Sequence, residues 1–212
     1  MDKRFLATIA IISALISFST LFSPLAKAVS VSPKVQQVIE FAGKNQHTMA
    51  EDALKDLTTK EKDELVQYIE ANYTSVPPLY YIKMADHVLK TDKDKAALWF
   101  YIGKVRAYED VMMCKDKTAQ SQLDILQYFA PKTTKYIFSK NKDKSYMADL
   151  LQKVLDWDIS HKNRTNPIWA CYQGISASTK TPELKSEDLR QKVLDNVRDE
   201  LNESIMKYKK LD

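Results

Sequence analysis

The sequence is poor in glycine, histidine and cysteine, and each shortage excludes a class of function. With 3 glycines among 212 residues, it contains no glycine-rich phosphate-binding loop, no dinucleotide-binding fingerprint and no nucleophile elbow. The 3 histidines, His47, His87 and His161, are far apart, and no two have the spacing that places metal ligands on one helical face. We therefore predict no metal, no cofactor and no catalytic motif.

Neither sign of charge dominates. The chain has 32 basic and 28 acidic residues, and the part after residue 28 has 29 and 27, a net charge of +2. Proteins that bind nucleic acid concentrate Lys and Arg on one face, whereas acidic residues are interleaved with basic ones throughout this chain. The composition therefore argues against a nucleic-acid partner.

The only long apolar run lies at the N terminus and has the three parts of an export signal. Lys3 and Arg4 precede the uncharged range 5–22, and a small-x-small site, Ala-Lys-Ala, follows at 26–28. We predict that signal peptidase cleaves directly after this site. Residues 29–212 would then form a single helical domain in the periplasm of a Gram-negative bacterium, or be secreted.

The competing interpretation of the N terminus is an uncleaved membrane anchor, because the apolar run approaches the length that spans a bilayer. Its many Ser, Thr and Ala residues and the Ala-Lys-Ala exit favour a signal peptide of residues 1–28. No other apolar run approaches that length, so we expect no membrane contact after cleavage.

Only two cysteines are present, Cys114 and Cys171. An even number of cysteines in an oxidising compartment predicts a disulfide. The alternative is two buried thiols that never meet. A bond between them would also remove the possibility of a cysteine nucleophile acting with His161.

The remaining composition predicts an all-α fold, because alternating strand patterns are missing and good helix formers dominate. Start signals and apolar spacing predict a compact domain of several helices. Three helices begin at Ser32-Pro33 and at two capping boxes, Thr48 to Glu51 and Thr58 to Glu61. Five more cover about 77–90, 94–114, 118–129, 132–139 and 143–158.

A final helix carries the clearest apolar stripe of the chain. The stripe recurs every four residues or nearly so, at Leu189, Val193, Val197, Leu201, Ile205 and Tyr208. It could serve as a coiled-coil seam, but its clear signal is short. Docking of this helix onto the protein's own core is the favoured interpretation.

Residues 77–114 carry a resemblance to a known repeat. Tyr81, Ala85 and Leu89 lie at four-residue steps before a turn, and a second helix opens with two alanines and the aromatic run 99–101. This segment resembles one helix-turn-helix unit of the tetratricopeptide or Sel1-like type. No second copy follows at a fixed period. The resemblance implies a helical hairpin that binds another protein.

Residues 99–106 also resemble a Trp-Phe-Tyr-x-Gly-x-x-Arg stretch of small exported bacterial helical proteins with no assigned activity. Residues 96–103 are apolar on almost every side, so we expect a central helix. Gly103 within it costs about 1 kcal/mol relative to Ala, which close contact between helices could offset. Arg106 and Asp110 have the spacing of an ion pair on one helical face.

Our leading hypothesis is a non-enzymatic periplasmic module that binds another protein. The predicted binding surface is an exposed groove or patch beside this hairpin, lined by some of the candidate residues Tyr80, Tyr81, Tyr101 and Arg106. An immunity protein that neutralises an envelope-targeting antibacterial toxin is the alternative of the same class.

A hydrolase whose site is assembled from dispersed residues is the alternative from another class. Asp156 and Asp158, on either side of Trp157, are the most suggestive acid pair. Side chains two residues apart on a helix diverge, so we expect them at a helix end and not as an acid/base pair.

Overall fold

The computed structural model describes residues 30–210, and within that range it confirms the all-α prediction. The predicted signal peptide and the predicted cleavage site lie outside the described residues. None of the described helices combines the length and the apolar character needed to span a bilayer. The α-helices are α1 (Pro33–Gly43), α2 (His47–Lys55), α3 (Thr59–Ala71), α4 (Leu79–Val88), α5 (Lys93–Met112), α6 (Gln122–Ile125), α7 (Pro131–Lys140), α8 (Lys144–Ser160), α9 (Ile168–Cys171) and α10 (Asp188–Lys209).

Helix α5 is the central element, as its apolar sequence predicts. It packs against α4, α7, α8, α9 and α10 and contributes to both of the apolar clusters that form the core. Gly103 lies where α5 meets α4. A β-carbon at this position would lie 2.5 Å from Cγ1 of Ile82 and 2.9 Å from the carbonyl oxygen of Pro78. The close contact between helices that we expected is therefore present.

Helices α4 and α5 form a helical hairpin through a tight turn. The backbone N–H of Asp92 donates to the carbonyl of Val88 (2.9 Å), and the Asp92 carboxylate accepts the N–H of Lys95 (2.9 Å). This aspartate therefore closes one helix and caps the next. The likeness of this hairpin to a tetratricopeptide or Sel1-like unit stays a prediction.

One of the two predicted capping boxes is present. Thr58 accepts the N–H of Glu61, and the Glu61 carboxylate accepts the N–H of Thr58 at 2.8 Å. The box at Thr48 is wrong, because the N-cap of α2 is Gln46, two residues earlier, and Thr48 lies inside the helix. Its intended partner Glu51 instead forms an ion pair with the buried Lys83 of α4.

Helix α10 docks on the protein's own core, mainly along α8. Its buried face differs from the predicted stripe at the N-terminal end, where Leu189 is 41 % exposed and Leu194 is buried in its place. The later stripe positions Val197, Leu201 and Ile205 are buried as expected.

Cys114 and Cys171 form the predicted disulfide, with their Cα atoms 5.4 Å apart. A short antiparallel contact lies beside it, because the N–H of Lys115 donates to the carbonyl of Glu183 (3.0 Å) and the N–H of Lys185 to that of Met113 (2.7 Å). The disulfide joins the chain just after α5 to the end of α9, and the antiparallel contact joins it to the segment between α9 and α10.

Candidate functional site

Three of the four candidate residues for the predicted binding surface are buried and cannot line it. Tyr80 is fully buried, Tyr81 is 4 % exposed and Arg106 is 6 % exposed. The tyrosines are inside because α4 is apolar on most sides and is enclosed by α3, α5 and α7. Burial raises the pKa of both tyrosine hydroxyls. Only Tyr101 of the predicted four reaches a surface groove.

Tyr81 belongs to an aromatic cluster in the core. Its ring centroid lies 5.0 Å from that of Trp99 and 5.8 Å from that of Trp157. Edge-on pairs of this kind add to the stability that burial already provides. The aromatic residues singled out as interface anchors therefore serve mainly in packing.

Arg106 pairs with Asp158 of α8, and the expected pair with Asp110 is not formed. Its Nε lies 2.8 Å from Oδ1 of Asp158, and its guanidinium lies 4.8 Å from the ring centroid of Trp157. The two terminal nitrogens donate to the carbonyls of His161 (2.5 Å) and Asn163 (3.0 Å). Arg106 therefore fixes the chain that follows α8.

Asp158 is the centre of a buried ionic cluster that sequence patterns did not reveal. Besides its ion pair with Arg106, Asp158 accepts two hydrogen bonds from Arg164 (2.9 and 3.0 Å) and two from Arg198 of α10 (2.9 and 2.8 Å). Arg164 also donates to Glu109 of α5 (3.0 Å). The cluster thus joins α5, α8, α10 and the segment after α8.

Two further acids of α5 border this cluster. Burial raises the pKa of Asp110 to about 7, although the Trp169 indole donates a hydrogen bond to it (2.6 Å). Burial, and then repulsion by Asp158, raises the pKa of Glu109 to about 8, against the attraction of Arg164. Raised pKa values are common at catalytic sites. Here the carboxylates are each only 2 % exposed, so no substrate reaches them, and we interpret the cluster as structural.

The three histidines do not form a site together. His87 hydrogen-bonds to Asp63 (2.7 Å), His47 packs edge-on against Trp169, and His161 stacks on an indole of α8. Among residues 30–210, no group of three or more His, Cys, Asp or Glu is arranged to hold a metal ion.

A solvent-open groove of about 390 Å³ runs between α5 and α10 and is the best candidate site. Tyr101 and Tyr108 of α5 line it on one side and Tyr208 of α10 on the other. Its apolar lining is completed by Val105, Leu151, Val197 and Leu201. Tyrosine combines a large apolar ring with a polar tip and is enriched at protein interfaces.

Polar groups fix the rim of this groove. The Tyr208 hydroxyl donates to Oδ1 of Asn141 (3.0 Å). This hydrogen bond holds the ring against the C-terminal end of α7. Desolvation by neighbouring groups lowers the pKa of Lys104, although this residue is exposed, and burial raises the pKa of the half-buried Tyr101 to about 12. A ligand would meet three preformed aromatic surfaces, one cation at Lys104 and one carboxylate at Glu200.

No family model, no curated protein and no solved structure matches the chain.

Proposed function

We propose that this protein is a non-enzymatic interaction module that binds a segment of another protein in the groove between α5 and α10. The observation that carries the proposal is the open groove with Tyr101, Tyr108 and Tyr208 on its two walls. Its occupant would insert an apolar side chain between the rings and hydrogen-bond to the tyrosine hydroxyls. The small number of polar groups and the rigid helical walls suit such a segment.

An immunity protein would be a particular case of this function, with a toxin as the bound partner. The identity of the partner distinguishes the two possibilities. The hydrolase alternative gains no support from the buried carboxylates Asp158 and Glu109, because both are paired with arginines.

Truncating the groove tyrosines is expected to weaken partner binding. Tyr108→Ala and Tyr208→Ala should each cost about 2 kcal/mol, or roughly thirtyfold in affinity, if these rings anchor the partner. The partner is first captured from a periplasmic extract by the wild-type protein, identified by mass spectrometry and purified. Its affinity for each variant is then measured by calorimetry.

Tyr172→Ala is the matched control, because Tyr172 is 45 % exposed, follows α9 and does not line the groove. We expect this variant to bind as the wild type does. Equal affinities for the groove variants and the control would contradict the proposed surface.

The proposed place of action is the periplasm. The N-terminal pattern at 1–28 and the disulfide both support it, since disulfides persist in oxidising compartments. When the full chain is expressed in a Gram-negative host, Edman sequencing of the periplasmic fraction should show a start at Val29. A chain that begins at Met1 and stays in the membrane fraction would contradict this placement.

A further inference from the structure

A second cavity shares no lining residue with the tyrosine groove, and five of its nine lining residues are lysines. It has a volume of about 310 Å³ and lies among α2, α3, α4 and the start of α7. Five lysines line it: Lys55, Lys62, Lys83, Lys90 and Lys132. Four come from helices α2, α3, α4 and α7 and Lys90 from the turn after α4, so the fold and not a local run of charge brings them together.

Two of the five lysines already have acidic partners. Lys55 pairs with Asp52 (2.9 Å), and Lys83, whose side chain is 7 % exposed, pairs with Glu51. The ammonium group of Lys83 also lies 4.0 Å from the ring centroid of Phe129. These two lysines therefore build the wall of the cavity more than they offer free charge.

The other three lysines, Lys62, Lys90 and Lys132, have no ion-pair partner among residues 30–210. The acid that lines the same cavity, Asp86, does not neutralise them by an ion pair. Its carboxylate accepts the backbone N–H of Thr133 (2.7 Å) and of Lys132 (3.2 Å) at the start of α7. Three unpaired cations therefore face one concave space.

We propose that this cavity binds a phosphate-bearing anion, either a soluble phosphate compound or the headgroup of an anionic lipid. A carboxylate would neutralise a single lysine, whereas a multiply charged phosphate can interact with three ammonium groups at once. Lysine binds phosphate as a compact point charge without the planar geometry that arginine imposes. The apolar floor, formed by Leu54 and Met84, leaves room for a small organic group attached to the phosphate.

The two sources of phosphate are tested with two probes at low ionic strength. Inorganic pyrophosphate is titrated into the protein by calorimetry, and vesicles of phosphatidylcholine with and without phosphatidylglycerol are tested by co-sedimentation. We expect saturable binding of pyrophosphate, of the anionic vesicles, or of both, and a weaker signal as salt is added. Binding of pyrophosphate alone identifies a soluble ligand, and binding of anionic vesicles alone identifies a lipid headgroup.

The variant Lys62→Gln/Lys90→Gln/Lys132→Gln should weaken the observed binding by about tenfold or more, since three charge interactions are lost. The control Lys142→Gln/Lys162→Gln/Lys192→Gln removes the same charge from exposed lysines elsewhere and should change binding by less than about twofold. Lys132→Gln alone, at an exposed position, provides a milder variant if the triple variant does not fold. Failure of both probes to bind, or equal weakening by the control, would overturn the proposal.

Discussion

The variant Asp158→Asn is expected to lower the free energy of unfolding by about 3–5 kcal/mol. The carboxylate is 2 % exposed and accepts hydrogen bonds from Arg164 and Arg198, while Arg106 lies within ion-pair distance. Asparagine keeps the size of the side chain and removes its charge. The three arginines would then lose their shared carboxylate. Removal of one member of a buried ion pair is costly because the remaining charge stays desolvated.

Asp156→Asn is the matched control, two residues earlier in the same helix. Asp156 is exposed and accepts only a surface hydrogen bond from Gln152 (3.0 Å). Its replacement should change stability by less than about 0.5 kcal/mol. Urea denaturation followed by circular dichroism measures both variants. A loss of stability at Asp158 no larger than that at Asp156 would mean that the ionic cluster contributes nothing to the fold.

The sequence predicts the helices well because their signals are local. The Thr58 capping box, the turn at Asp92 and the end of the last helix all depend on residues within one or two helical turns. The disulfide can also be predicted from the sequence, since two cysteines allow only one intramolecular pairing. Local rules fail at Thr48, because α2 begins at His47 and Glu51 forms an ion pair with the distant Lys83 of α4.

The binding patch could not be predicted because periodicity does not say how many sides of a helix are covered. Tyr80 and Tyr81 occupy adjacent positions, so on an amphipathic helix one of them would tend to face water. Helix α4 is instead enclosed on several sides, and both are buried. An aromatic residue is suited to an interface and to a core alike, and only the packing of neighbouring helices decides between the two.

The ionic cluster had one signal in the sequence. Trp99 and Ile102 lie on the buried face of α5, and Arg106, Glu109 and Asp110 continue that face at helical spacing. Charged residues in line with an apolar stripe indicate buried charge. Their partners could not be predicted, because Asp158 and Arg164 are distant in the chain and reach α5 only through the packing of α8.

Removal of the disulfide is the second change that we expect to lower the stability of the fold by several kcal/mol. The variant Cys114→Ala/Cys171→Ala is expected to lower the free energy of unfolding by about 4 kcal/mol in the chain-entropy model. The bond joins positions 57 residues apart, and without it the unfolded chain gains the freedom of that whole loop. For a domain of this size the midpoint of thermal unfolding should fall by about 8–16 °C.

Reduction of the wild-type protein is the matching measurement, because it breaks the bond and leaves both side chains in place. The reduced protein and the double variant should lose stability to a similar extent, and any further loss in the variant reports the space left by two buried sulfur atoms. The contact between Lys115 and Glu183 beside the bond is expected to hold the native segments together after reduction, so that the helical content at low temperature is kept. Two free thiols titrated in the denatured, unreduced wild-type protein would contradict the bond itself. An unchanged melting temperature after reduction would show that the loop gains little freedom when it is opened.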